Sequence, residues 1–136
     1  MTLVQVVLDT DILSATLREN PIVMPKVNEY LAKYAKFTFS IITKYEILRG
    51  LKAKGATKQL ATFEGFCTRN VILPIADETI VKAADIYADL KRRGLPIGDA
   101  DILIAASALV LGWPVVTNNE AHFQRIRDLE VLNWLR

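Results

Sequence analysis

Histidine and cysteine are nearly missing from this 136-residue sequence: it holds one of each, His122 and Cys67. A single cysteine excludes an internal disulfide and a cysteine-based zinc site, so Cys67 reads as a small core residue. The lone His122, followed by Phe123, reads as a structural or surface residue and offers no histidine-based acid/base pair. Ser14 and Ser107 likewise have no His–Asp partners to activate them. No apolar run reaches the roughly 18 residues of a membrane span. The opening "MTLVQVVLDTD" has no basic leader region, so a cytoplasmic protein without membrane association is expected. Neither G-x-x-x-x-G-K-[ST] nor G-x-G-x-x-G occurs, which removes the phosphate loops of those kinds. Repeats, low-complexity tracts and linkers are absent as well. Net charge is only +2, too small to argue nucleic-acid binding by itself.

What is present points to a folded globule. Hydrophobic residues make up 51% and charged residues 24%, enough apolar matter for one core, and the length suits a single domain over residues 1–136. Charge is clustered locally. "KYEILRGLKAKGATK" carries Lys44, Arg49, Lys52, Lys54 and Lys58, and "LKRRG" carries Lys91, Arg92 and Arg93. Each cluster is either a solvated helix face or a surface that meets phosphates.

The apolar pattern alternates between short strand-like runs and helical stretches. Strands are expected at 3–8, 37–42, 71–75 and 114–119, and a fifth within "LEVLNW". Helices are expected over "TDILSATLRE", 25–35, from Thr43 until it frays near Gly50 to Gly55, over "TKQLATFEGFCTR", from a cap at Asp77 to Arg93, and from Asp99 to about Leu111. A short helix, "EAHFQRI", follows the fourth strand. This alternation predicts an α/β fold, a parallel sheet with helices on both faces. In such sheets ligands gather at the carboxyl ends of the strands.

The acids fall at those ends. Asp9 closes the first strand, with Asp11 two residues on. Glu46 lies in the first turn of the helix after the second strand. Asp99 and Asp101 open a later helix, and Asn119 follows the fourth strand. Each has a capping explanation except Asp9, which is no obvious cap: Thr43-x-x-Glu46 matches a capping box, Asp99 suits an N-cap, Asp101 suits the helix dipole, and Asp11 can cap the first helix. Caps, however, should scatter over a protein, and these acids share one edge. Two carboxylates about 4 Å apart repel by roughly 4 kcal/mol at an effective dielectric near 20. Either their pKa values rise or a cation sits among them. With no His or Cys, the site is all oxygen, which suits Mg²⁺ or Mn²⁺ and not zinc. Asp99 and Asp101 are about 200° apart around a helix, so one face cannot hold both. Asp101 heads the near-continuous apolar helix "ILIAASALVL", whereas Asp99 sits outside it beside Gly98.

Four blocks, "VLDTDILS", "ITKYEILRG", "PIGDADILIAASAL" and "VVTNNEAHFQRIRDLEVLNWL", together resemble the PIN-domain ribonucleases, specifically the VapC toxins of type II toxin–antitoxin pairs. They occur in family order across nearly the whole chain. The resemblance implies a PIN-like, flavodoxin-like three-layer α/β/α fold with a mainly parallel five-stranded sheet. It also implies an Mg²⁺- or Mn²⁺-dependent endoribonuclease that uses a metal-activated water and leaves a 5′-phosphate and a 3′-hydroxyl. Matched position by position, Asp9, Glu46 and Asp101 are the catalytic and metal-holding acids, Glu46 directly or through water. Asn119 stands at a fourth position that is often Asp in PIN domains, so its neutral amide suits an outer-shell role. Asp99 reaches the ion through water at most. Asp11 stands where the family usually has a small polar residue, and Thr117 resembles a residue that orients the site. Arg49, Lys52 and Arg93 are candidates to grip RNA. The implied partners are an RNA substrate such as tRNA, a VapB-like antitoxin and a second copy of the chain. Apolar residues on 25–35 and 56–67 either form that homodimer face or pack on the domain's own sheet.

Two other readings compete. "VVLDTD" also resembles the acidic pair of Mg²⁺-binding phosphoacceptor receiver domains. That class needs an acceptor Asp at the end of the third strand, where "VILPIAD" offers only the late Asp77, and a Lys after the fifth. A catalytically inactive PIN domain acting as a binding module is the third reading.

Overall fold

The computed structural model describes residues 3–136. Five parallel strands form one sheet: β1 (Val7–Leu8), β2 (Thr38–Ser40), β3 (Val71–Leu73), β4 (Val115–Val116) and β5 (Val131–Leu132), in the order β3-β2-β1-β4-β5. Seven helices connect and cover them: α1 (Thr10–Leu17), α2 (Met24–Tyr34), α3 (Ile41–Ala53), α4 (Thr57–Thr68), α5 (Asp77–Arg92), α6 (Asp99–Leu111) and α7 (Glu120–Phe123).

The pleat of β1 sorts the core into two layers, because successive side chains of a strand face opposite ways. Val6 and Leu8 join Ile12, Leu13, Val27, Tyr30, Phe39, Phe63 and Trp134 on one face. Val7 joins Ile86, Leu90, Ile102, Ala105 and Phe123 on the other. Val7 and Leu8 are fully buried, as are Val115 and Val116, which explains why these strands read as unbroken apolar runs. The expected three-layer α/β/α architecture is present, and the sheet is wholly parallel.

Several boundaries differ from the sequence reading. The second strand stops at Ser40 and not at residue 42. Its hydroxyl accepts from the Ile42 backbone N–H at 3.0 Å, so Ile41 and Ile42 start α3. Thr43 and Glu46 therefore sit too far inside the helix to form a capping box. Gly98, not Asp99, is the N-cap of α6. Ala76, not Asp77, is the N-cap of α5, with the Thr79 hydroxyl accepting from the Ala76 N–H at 3.3 Å. On α2 and α4, Val27, Tyr30, Phe63 and Cys67 are core residues. These four positions of 25–35 and 56–67 pack inside the domain itself.

Chain direction along the sheet reverses at β1. The strands β2 and β3 build outward on one side, and β4 and β5 on the other. Such a switch point opens a crevice at the carboxyl ends of the two diverging strands, here β1 and β4. A receiver domain has the order 2-1-3-4-5, which places its third strand beside the first. In this chain β3 is an edge strand, with no acid at its end, and the receiver reading fails on topology.

Candidate active site

Asp9 and Thr117 stand at the mouth of that crevice, each directly after its strand. Both are buried, Asp9 to 5% exposure and Thr117 completely. The Thr117 hydroxyl donates to Asp9 Oδ2 at 2.7 Å and accepts from the Asn119 N–H at 2.9 Å. The other Asp9 oxygen accepts from the Thr10 N–H at 2.8 Å. Asp9 is thus the N-cap of α1, a role the sequence reading withheld from it. Capping does not offset its burial. Desolvation first, then the neighbouring charge of Asp11, and last that of Asp101 push the Asp9 carboxyl up to about 7. The hydrogen bonds from Thr117 and Thr10 pull the other way.

Asp11 shares this surplus of negative charge. Its Oδ2 accepts from the Asn118 N–H at 3.0 Å and its Oδ1 from the Ile12 N–H at 2.7 Å. Burial raises its pKa, and Asp101 adds to the rise. Among the described residues neither Asp9 nor Asp11 has a Lys or Arg ion-pair partner. Asp101 lies in the first turn of α6, one-quarter exposed, with Oδ2 at 3.3 Å from His122 Nδ1. The same ring nitrogen is 2.9 Å from the Asn119 amide nitrogen. One nitrogen makes one such bond at a time: without a proton it accepts from Asn119, and with one it donates to Asp101.

Glu46 enters from α3. Its Oε1 lies 2.6 Å from the Thr10 hydroxyl, which is also 3.0 Å from the hydroxyl of buried Thr43. A hydroxyl has one proton, so Thr10 gives it to the carboxylate and takes one from Thr43. The second oxygen, Oε2, is 3.7 Å from Arg49 Nη2. Arg49 also lies over the Tyr45 ring, 5.1 Å from its centroid, at the exposed rim.

The crevice therefore gathers Asp9, Asp11, Asp101 and Asn119, with Glu46 joined through Thr10. It leaves out two expected members. Asp99 is exposed on the first residue of α6, and the geometry gives it no side-chain partner among the described residues. Arg93 is committed elsewhere: its guanidinium donates to Asp89 and to the Arg125 carbonyl, which makes it a brace between α5 and the segment after α7. The physical reason is the C-terminal position of Arg93 on α5, one turn after Asp89. Lys52 is exposed in the last turn of α3. Thr10 is a residue the sequence reading passed over, and His122 one it read as structural or surface. The signals were Asn119-x-x-His122, a one-turn spacing after a strand, and Thr10 lying between two acids.

The carboxylate donors are all oxygen, they repel one another, and among the described residues no cationic side chain neutralises Asp9 or Asp11. That set fits a hard divalent ion. Among the described residues no three His, Cys, Asp or Glu side chains are already closed into a ligand cage.

Residues 6–129 match the family model "PIN domain". Ribonuclease VapC1 of Methanocaldococcus jannaschii is 36% identical over 65% of this chain and 63% of its own length. The tRNA(fMet)-specific endonuclease VapC of Shigella flexneri is 32% identical over 93% of this chain and 96% of its own. A crystal structure of DNA-bound VapBC from Salmonella typhimurium contains a chain with the same fold, at TM-score 0.85 and 29% identity, covering 97% of this chain and 99% of that one. With the crevice acids, the sheet order and these relatives in agreement, the chain belongs to the PIN-domain family, within its VapC ribonucleases of toxin–antitoxin systems.

Proposed function

We propose that this protein is a divalent-metal-dependent endoribonuclease toxin that cuts a structured RNA, tRNA foremost, and is held in check by a VapB-like antitoxin. The observation that carries the reading is Asp9. Its carboxyl is buried, is pushed up to about 7, and has two acidic neighbours and, among the described residues, no cationic partner. A fold keeps such a group only where something compensates it. Asp9 and Asp101 are assigned to hold Mg²⁺ or Mn²⁺, with Glu46 at the side and Asn119 beyond the direct ligands. Bound there, the ion supplies Lewis-acid stabilisation of phosphate charge and lowers the pKa of water.

The chain's own residues do the rest. Thr117 fixes Asp9 by donating to Oδ2, and through the Asn119 N–H it fixes the start of α7. Thr10 holds Glu46 by Oε1, and Oε2, at 3.7 Å from Arg49 Nη2, takes the proton of the attacking water in place of that long contact. The water oxygen bonds to phosphorus, the P–O3′ bond breaks, and the leaving O3′ takes a proton from solvent water, giving a 5′-phosphate and a 3′-hydroxyl. The Shigella relative's name specifies tRNA(fMet), which supports tRNA as the first substrate to test.

The experiment is RNA cleavage with Mg²⁺ or Mn²⁺ against EDTA, repeated with Asp9→Asn, Glu46→Gln and Asp101→Asn. Loss of cleavage in EDTA and in all three variants is expected. Persistent cleavage in EDTA refutes the metal assignment, and persistence in the three variants refutes the site.

A further inference from the structure

Residues 117–120, which lead from β4 into α7, touch the acids on one hand and the segment after β5 on the other. Toward the acids, the Thr117 hydroxyl donates to Asp9, the Asn118 N–H to Asp11, and the Asn119 N–H to the Thr117 hydroxyl. Toward the segment after β5, the Thr117 N–H donates to the Leu132 carbonyl at 2.9 Å. Asn133 Nδ2 donates to Asn118 Oδ1 at 3.1 Å and to Glu120 Oε2 at 3.0 Å. Arg136 grips the same Glu120 carboxylate with two nitrogens, Nε to Oε2 at 2.7 Å and Nη2 to Oε1 at 2.9 Å.

Asn133 spends its whole amide on this arrangement. Its Oδ1 accepts from the Leu135 N–H at 2.9 Å, which fixes the orientation of the amide, because only the oxygen accepts. Its nitrogen then serves Asn118 and Glu120. Trp134, the next residue, is buried against Tyr30 with ring centroids 5.4 Å apart and anchors the segment in the core. Stability does not account for the outer contacts. The Arg136 side chain is 73% exposed, and an ion pair so exposed adds little to folding. What a forked arginine–carboxylate pair adds is defined geometry. A catalytic site rewards geometry steeply: a misplacement of about 1 Å costs on the order of a hundredfold in rate.

We infer that Asn133 and Arg136 are positioning residues of the ribonuclease site: through Asn118 and Glu120 they set the turn that brings the Thr117 hydroxyl to Asp9 and the Asn118 N–H to Asp11. The inference rests on the ribonuclease reading. Among the described residues, the side-chain donors of Asn133 and Arg136 go to Asn118 and Glu120 and to none of Asp9, Asp11, Glu46 and Asp101, so both act at one remove from the acids. Arg136 Nε and Nη2 are committed to Glu120, which favours a holding role over a direct grip on RNA phosphate.

The test combines steady-state RNA cleavage with Mn²⁺, thermal unfolding, and Mn²⁺ affinity without RNA, the last read from the paramagnetic resonance of free Mn²⁺. Arg136→Gln and Glu120→Gln should each lower kcat about tenfold, with KM changed by less than about twofold. Each should bind Mn²⁺ about threefold more weakly and melt within about 2 °C of the wild type. The Arg136→Gln/Glu120→Gln double variant should be no slower than either single, because all three remove one contact. Arg136→Lys should recover part of kcat, since lysine keeps the charge and loses the fork. Asn133→Ala, which releases Asn118 as well as Glu120, should lose at least as much kcat as Arg136→Gln. Arg127→Gln, which breaks another exposed arginine–carboxylate pair, with Asp89, is the control and should behave as wild type. Wild-type kcat and Mn²⁺ affinity in both single variants overturn the inference. A raised KM with unchanged kcat overturns it too and gives Arg136 to the RNA. A loss of kcat that tracks a lowered melting temperature overturns it in favour of a general staple. If the wild type binds Mn²⁺ but cleaves no RNA, the ribonuclease reading alone fails, and the Mn²⁺ affinities of the variants decide the role of the segment; a wild type that does neither overturns both.

Discussion

Replacing Asp9 by Asn should make this protein more stable and inactive at once. Moving a carboxyl from 3.8 to about 7 on folding corresponds to about 4 kcal/mol. The sign follows from proton counts. Between pH 4 and pH 7 the folded state keeps a proton that the unfolded state has released. Stability then falls by about 1.4 kcal/mol per pH unit. It is greatest below pH 4 as far as this group is concerned, and is lost as pH rises through 7. Asn keeps the shape: its oxygen still accepts from the Thr10 N–H, and its amide can donate to the Thr117 hydroxyl. Asp9→Asn should therefore gain on the order of 2–4 kcal/mol over the wild type at pH 8 in EDTA, and almost nothing at pH 4. Urea unfolding followed by the fluorescence of Trp113 and Trp134 reads both. Adding Mn²⁺ at a hundred times its Kd should restore about 2.7 kcal/mol to the wild type and little to the variant. A variant less stable than wild type at pH 8 in EDTA refutes the claim that Asp9 is held against its own electrostatics.

Three further outcomes follow from single contacts. Thr117→Val removes the buried donor to Asp9 Oδ2; it should cost about 2 kcal/mol at pH 8, where the acceptor is charged, and less at pH 5, with cleavage reduced in step. His122→Ala should slow cleavage about tenfold with an unchanged melting temperature, since the ring is 40% exposed and its contacts are with Asp101 and Asn119; a lower melting temperature with full activity would show a purely structural ring. Arg93→Gln should do the reverse, lowering the melting temperature by loss of the Asp89 and Arg125 contacts while leaving cleavage and RNA affinity intact, as read by thermal unfolding and a cleavage time course.

The layers of this fold were legible because its strands are buried on both faces, so "VQVVL" and "PVVT" stand out as apolar runs. Their ends were not. An apolar residue looks the same in a buried strand and in a buried helix, and only the Ser40 hydroxyl on the Ile42 N–H decides that Ile41 and Ile42 turn into α3. The acids of the site were legible for a related reason. Strand ends in a parallel sheet share one rim, so Asp9, Glu46 and Asp101 could be brought together without knowing any distance. Second partners could not. Whether His122 meets Asp101 depends on the angle at which α7 leaves β4, a tertiary quantity with no local trace in the sequence.

The same geometry separates the two aspartates of "GDADILIAA". Both stand in the first turn of α6, where the helix dipole favours negative charge, so capping energetics treat them alike. Position around the axis does not. The stripe of Asp101 continues through Ala105 and Ala108, both fully buried, and the carboxyl at its head is directed to the crevice where Asp9 and Asp11 already repel each other. Adding a third negative charge there raises both neighbours' pKa values, a cost that Asp99 does not impose on them. Asp99, on the opposite side of the axis, keeps the dipole's benefit and faces water. Placing an acid where it destabilises its neighbours, when a position two residues away would serve the helix equally well, is what a binding site requires and a helix cap does not.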